Sequence, residues 1–453
     1  MIATIIGVVL LIIALYKYSH RNYEWPLIIY AFLVTNGFII SFGEPSVVKF
    51  SDLGLVFLAI SCIMGYGRDK RFFSIKGNEG GKLVALYLGF FALELVYTII
   101  IGADSINGIV TILRPSLNAF AYFVFRKIPI QELYNAIKKV FKLAIFVCVL
   151  FVIQYITHIE LINTFVSEEN EEAGNYRMQV TPPFIDFILL YLFCYNVKSR
   201  YKWLVIALIT AVMLISQNRT PILGFILQIG IFILLSKNFK RKFTIMLLGL
   251  LAFPFVSAMF ESRAEEGSGQ SNFDIPAFEY IQKGDYIGLS RTSTFMFRIA
   301  LTAERFEYIM THPEKTLLGV GAIDQNSPRV SQFNFSVGTA FKDPRTGRIE
   351  ISQLNSIDVL WGPLIIRYGL LGLILHVYIM AMSGWLFYKE RNNRILMIGF
   401  LTIVAAFAQS FSSGGFFDGS SLFTLSIFWL VLDKIQYNRK LEKRKQYDNQ
   451  KIV

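Results

Sequence analysis

The stretch LSRTSTFMFRIALTAERFEYIMTHPEKTLLGVG, residues 289–321, decides how the chain is read, because it lies in the one long polar interval (261–355) of an otherwise apolar sequence. Phe295, Ile299, Thr302, Phe306 and Met310 recur at helical spacing. They predict an amphipathic helix near 292–311, with that face pressed onto a membrane surface or a protein core. Arg298 and Arg305 lie about 10 Å apart along the axis on a second face, and Arg291 continues the row if the helix starts early. His312-Pro313 stops the helix, and Gly319-Val320-Gly321 then makes a turn. A row of guanidinium groups beside a glycine turn suits an anionic, phosphate-bearing ligand. The plainer reading is a solvated arginine face on a surface helix.

Outside this interval the chain is built for lipid. Of its 453 residues 54% are hydrophobic and 17% charged, and its mean hydropathy is +0.50. Apolar runs of roughly 17–22 residues, each long enough to cross a bilayer core, repeat along it without strand-like alternation. The expected fold is therefore an all-α polytopic integral membrane protein. Runs near 2–17, 27–42, 50–66, 82–102, 106–125, 138–157, 182–197, 202–217, 220–236, 243–260, 364–388, 395–412 and 420–437 give about 13 transmembrane helices by the length rule. The first run lacks a basic leader and a small-residue cleavage site, so it reads as a retained span. Four regions follow: a first bundle of about ten spans (1–260), the large external loop with its amphipathic helix (261–355), the last three spans (356–437) and a basic tail (438–453) expected to lose regular structure at its end.

The charges set the topology. Lysines and arginines crowd every second loop, for example Arg68, Lys70 and Arg71, then Arg126 and Lys127, then Lys389, Arg391 and Arg394. The intervening loops are acidic or neutral, with Glu44, Asp104, Glu168 and Asp418. The positive-inside rule puts the N-terminus and the 261–355 loop outside and the C-terminus in the cytoplasm. The net charge of +12 is thereby explained by topology, which leaves no call for nucleic acid. Four scattered histidines and Cys62, Cys148 and Cys194 form no metal-ligand pattern, and no phosphate-binding loop for a nucleotide is present. Neither a metal nor a cofactor is expected.

Charged residues inside apolar runs are the second signal. Glu94, Arg114, Asp186 and Arg367 interrupt spans, and Arg219 sits at the end of another. By the assigned topology all lie in the outward half. A charge at depth is costly and faces a partner or a polar cavity. Internal pairs such as Glu94–Arg114 or Asp186–Arg367 are one reading. The other is an outward cavity lined by Arg114, Arg219 and Arg367 and roofed by the Arg298 helix. The latter suits a lipid with a phosphate or diphosphate head, whose charge as a leaving group arginine would neutralise.

Three short motifs then resemble the bacterial O-antigen polymerase/O-antigen ligase superfamily of Wzy-like membrane glycosyltransferases. They are Ser216-Gln217-Asn218-Arg219-Thr220-Pro221, then Arg298 with His312-Pro313 and Leu318-Gly319-Val320-Gly321, and then Leu354-Asn355-Ser356 leading to Arg367-Tyr368-Gly369-Leu370-Leu371-Gly372. The likeness covers roughly residues 200–415. It implies undecaprenyl-diphosphate-linked oligosaccharide units as donor and acceptor, joined on the outer face of a bacterial cytoplasmic membrane, with a flippase and a chain-length regulator as partners. Ligases of the superfamily carry histidine where this chain has Leu354, so the resemblance favours a polymerase over a ligase. A flippase or transporter is the alternative from another class. Under this likeness Arg219 and Arg298 hold the diphosphate with Arg291 or Arg305 and the Gly319 and Gly321 turn assisting, and Arg114 and Arg367 line the deeper cavity. The general base is left open among Asp358, Glu304 and Asp186, since reach to a substrate hydroxyl decides it.

Overall fold

The computed structural model describes residues 2–41, 48–163, 178, 180–194, 200–216, 219–235, 277–292, 294–342, 349–356, 359–411 and 418–452. Helices dominate: α1 (Ile2–Ser19), α2 (Glu24–Val34), α3 (Phe50–Arg68), α4 (Glu79–Ile100), α5 (Ile106–Leu113), α6 (Ala121–Phe125), α7 (Ile130–Thr157), α8 (Ile185–Cys194), α9 (Lys202–Ser216) and α10 (Arg219–Leu235). The polar interval supplies α11 (Ala277–Gln282), α12 (Tyr286–Ser290), α13 (Thr294–Thr311) and α14 (Pro313–Thr316). The chain closes with α15 (Trp361–Lys389), α16 (Arg394–Gln409) and α17 (Gly419–Ile452). One short antiparallel ladder pairs Ala340–Lys342 with Ile349–Ile351. Among the described residues six helical stretches are long and apolar enough to cross a membrane. The protein is thus an α-helical membrane protein.

Two sequence expectations change. The second run, expected to be continuous over 27–42, ends at Val34. Asn36 takes a left-handed conformation with φ 51°, and Gly37 follows at φ 73°. These are the residue types that tolerate that region and stop a helix. The basic tail remains helical, since α17 continues to Ile452 instead of ending near 437. Its sequence is rich in Lys, Arg, Glu and Gln, all good helix formers. Arg439 also clamps Glu390 at the end of α15 with two hydrogen bonds of 2.8 and 2.6 Å.

The centre of the bundle is α17. Trp429 on it is fully buried and donates to Ser383 Oγ of α15 at 2.9 Å. One turn on, Asp433 accepts from the Gly80 and Gly81 amides at the start of α4. An anion there meets the unpaired donors and positive end of that helix. In a bilayer, association depends on close packing and on such internal polar contacts. The polar interval gathers at the opposite end of α4, where Thr98 and the following Asp104 accept from Ala322 and Asp324. This is called the loop end below.

Candidate functional site at the loop end

The polar interval is fastened to the bundle through a break in α15. Gly369 interrupts that helix with φ 60° and ψ −161°, a region open essentially to glycine alone. The break frees backbone groups, and the glycine turn satisfies them. Val320 N–H donates to the Ile366 carbonyl at 2.9 Å, Gly321 N–H to Arg367 at 3.0 Å, and Leu371 N–H to Leu317 at 3.0 Å. Tyr97 caps the arrangement by donating to the Gly319 carbonyl at 3.0 Å. A Cβ on Gly369 would stand 2.5 Å from the Leu317 carbonyl oxygen, and one on Gly319 would run into the Arg367 carbonyl. The second and third sequence motifs therefore meet backbone to backbone. Gly319 and Gly321, expected beside a diphosphate, have already spent their amides, on Lys315 and Arg367. They are docking residues.

Helix α13 lies where it was expected but is rotated. Leu301, Arg305 and Ile309 form its buried face against α15, while Phe295, Phe306 and Met310 are exposed. Arg305 is only 1% exposed. It donates to the Leu301, Ser352 and Gln353 carbonyls and to Glu304, and lies 4.6 Å over the Phe335 ring. Burial pulls its guanidinium down to about 10, with the Glu304 carboxylate working against that fall. Glu304 in turn accepts from the Ser336 amide and hydroxyl and from the Val337 amide. Neither is available as diphosphate ligand or general base: both tie the loop to its helix. Arg298, seven residues earlier, has a buried Nε without a partner and no ion pair among the described residues. Arg291 is exposed in the turn before the helix.

The charges in the spans do not form the pairs Glu94–Arg114 or Asp186–Arg367. Arg114 binds Asp52 at 2.5 Å with about a third of each side chain exposed. Arg367 is buried and donates to the Ile323 carbonyl at 3.2 Å and the Asn355 side-chain carbonyl at 2.5 Å. Glu94 is fully buried with neither oxygen hydrogen-bonded, and Asp186 Oδ1 is likewise buried and unpartnered. Arg219 opens α10, but its side chain lies outside the described residues, as does Asp358.

Three hollows adjoin at this end. The largest, about 550 Å³, is lined by Asn36, Arg114, Asn118, Thr181, Asp186 and Asp418 among others. A second of about 390 Å³ includes Arg367, Asn355, Tyr87 and His376, and shares Pro115 and Asp418 with the first. A third of about 350 Å³ shares Thr181, Asp186 and Ser420 with the first and extends to Gln228, Thr402 and Gln409. Arg298 lines none of these three, so the expected roof over Arg114 and Arg367 is not made by that side chain. Asp418 lines the first and second hollows and is pinned as the α17 cap, accepting from Ser420 and Ser421.

Sequence reading missed three organisers of the site. Gln325 Oε1 accepts from the Leu354 and Asn355 amides and from Ser352, and so shapes the segment that presents Asn355 to Arg367. Asp104 receives Asp324 and Ser327, and Asp52 holds Arg114. Asp104 and Asp52 lie in or beside spans and Gln325 within the polar interval, and only the fold supplies the partner of each. No protein-family model matches the chain, and no characterised protein matches it in sequence.

Proposed function

We propose that this protein is a multi-pass membrane glycosyltransferase that joins polyprenyl-diphosphate-linked oligosaccharides on the outer face of a bacterial cytoplasmic membrane, extending a surface polysaccharide. The observation that carries the reading is the chain of adjoining hollows at the loop end. It has guanidinium groups at Arg114 and Arg367, and carboxyl and hydroxyl groups between them. Arginine suits a diphosphate as ligand and as leaving group, because a fixed cation in a water-poor site meets the charge that develops as the bond breaks. In this reading the full bundle has about thirteen spans by the length rule. The N-terminus and the 277–356 region lie outside, and α17 ends in the cytoplasm. Arg219 and Arg298 remain proposed diphosphate ligands, Arg298 acting from outside these three hollows.

Leu354 supports a polymerase over a ligase, because an aliphatic side chain, here 1% exposed, can neither take a proton nor make a hydrogen bond where ligases of the superfamily carry histidine. The break at Gly369 is the feature that speaks for a transporter, since such proteins use interrupted helices at their sites. Here the docked turn occupies the break and satisfies its backbone. Mass spectrometry of lipid-linked glycans from cells lacking the protein separates these readings. A polymerase leaves single repeat units on the outer face, a ligase leaves full-length unattached chains, and a flippase leaves units facing the cytoplasm.

A further inference from the structure

We infer that the hollow between α8, α10, α16 and the start of α17 is the subsite for the acceptor sugar, with Asp186 as the base that takes the proton from its hydroxyl. The inference rests on the glycosyltransferase reading and assigns one hollow of the three a separate task. Its argument is a mismatch of donors and acceptors. Thr402, Ser410 and Thr424 line the hollow, but their hydroxyls donate back to the Ile398, Phe407 and Ser420 carbonyls of their own helices. What they offer to an occupant is therefore oxygen lone pairs. Asp186 Oδ1 and Gln228 Oε1, from two further helices, are buried acceptors with no donor. Gln228 is 4% exposed. Leaving such atoms unmet costs about 1–3 kcal/mol each, so the site is built for a ligand that brings O–H groups.

Among the described residues the lining holds no lysine or arginine and carries the Asp186 carboxyl, so it suits a phosphate poorly. A sugar ring brings several hydroxyls on one compact body, and about 350 Å³ lies in the range of small-ligand sites. The hollow also shares Thr181, Asp186 and Ser420 as lining with the one that includes Arg114. Asp186 thus stands where an acceptor hydroxyl meets a donor whose phosphates lie on the arginine side. In the transfer the acceptor oxygen forms a bond to the donor anomeric carbon, and the anomeric carbon–phosphate oxygen bond breaks. The hydroxyl proton passes to the Asp186 carboxylate, and the lipid diphosphate leaves with the bonding electron pair.

The test uses the full-length protein in nanodiscs. One arm is saturation-transfer NMR with the free repeat-unit oligosaccharide released from its lipid by mild acid. The other is transfer kinetics with intact lipid-linked units. The wild type binds the free oligosaccharide, and Gln228→Leu weakens that binding about tenfold or more. Gln228→Leu raises the KM for acceptor by a similar factor with the donor KM unchanged. Asp186→Asn keeps binding but lowers kcat about 10²- to 10⁴-fold. No binding by the wild type, or equal binding by Gln228→Leu, shows a hollow filled by water only and overturns the subsite. Undiminished turnover in Asp186→Asn overturns the base. Binding without any transfer by the wild type preserves the sugar site and sinks the enzyme reading instead.

Discussion

At the scale of single residues, the fold separates two arginines that the sequence made equivalent. Arg298 and Arg305 occupy the same heptad-spaced row, yet Arg305 is buried with four polar partners while Arg298 keeps an unpartnered Nε. Arg305→Ala removes the cation beside the largely buried Glu304 and leaves it only the hydrogen bonds from Ser336 and Val337, and breaking such a pair costs up to about 3–5 kcal/mol. We expect that variant to accumulate poorly and to lose several degrees in Tm. Arg298→Ala is expected to keep the wild-type Tm in detergent and to lose chain extension. Equal destabilisation of both variants would place Arg298 among the structural residues. The row itself was legible at residue level, from spacing alone. Which member turns inward was not, because that depends on the carbonyls of Ser352 and Gln353, some fifty positions away.

At the scale of elements, periodicity located α13 but did not reveal which of its sides packs on the protein. Phe295, Phe306 and Met310 made the obvious stripe, but the packed face is Leu301, Arg305 and Ile309. The sequence reading had offered a membrane surface as one home for this stripe, and its exposure leaves the face free to meet one. A fluorophore on Phe306→Cys in vesicles is therefore expected to be quenched by brominated acyl chains; quenching by aqueous iodide alone would put the face in water. The break in α15 was hidden for a different reason. Arg367-Tyr368-Gly369 reads as uninterrupted helix until the partner turn is known. Counting back from Lys389, the break stands about 30 Å along the helix, the thickness of a bilayer core. Arg367 therefore sits near the membrane boundary in this reading, shallower than the apolar run implied. Gly369→Ala forces a side chain into a glycine-only conformation against Leu317, at about 1–3 kcal/mol or more. It should loosen the loop end while leaving Asp433 and the start of α4 unchanged. Hydrogen exchange confined to residues near 317–323 and 366–371 would bear this out, and uniform exchange across the bundle would contradict it.

At the scale of the whole molecule, the helical membrane class was legible because composition and run length need no partner information, whereas the site needed residues that touch across the bundle. Topology joins the two, and it is the premise on which the outward-facing chemistry depends. Basic residues gather at one end of the helices, as with Arg68, Arg126, Lys389 and Arg394, while Asp104, Asp418 and the docked segment mark the other. On the positive-inside rule the basic end is the one expected to meet the cytoplasm. Lys283, on the exposed side of the loop segment, and Lys443, exposed on the tail helix, are suitable reporters. In a background without native cysteines, Lys283→Cys is expected to react with an impermeant maleimide in intact spheroplasts. Lys443→Cys is expected to react only after the membrane is opened. The reverse pattern would turn the hollows, Arg114 and Asp186 toward the cytoplasm, where nucleotide sugars and not translocated lipid-linked units are the available donors. The proposed chemistry would then fail even if every side-chain contact were correct.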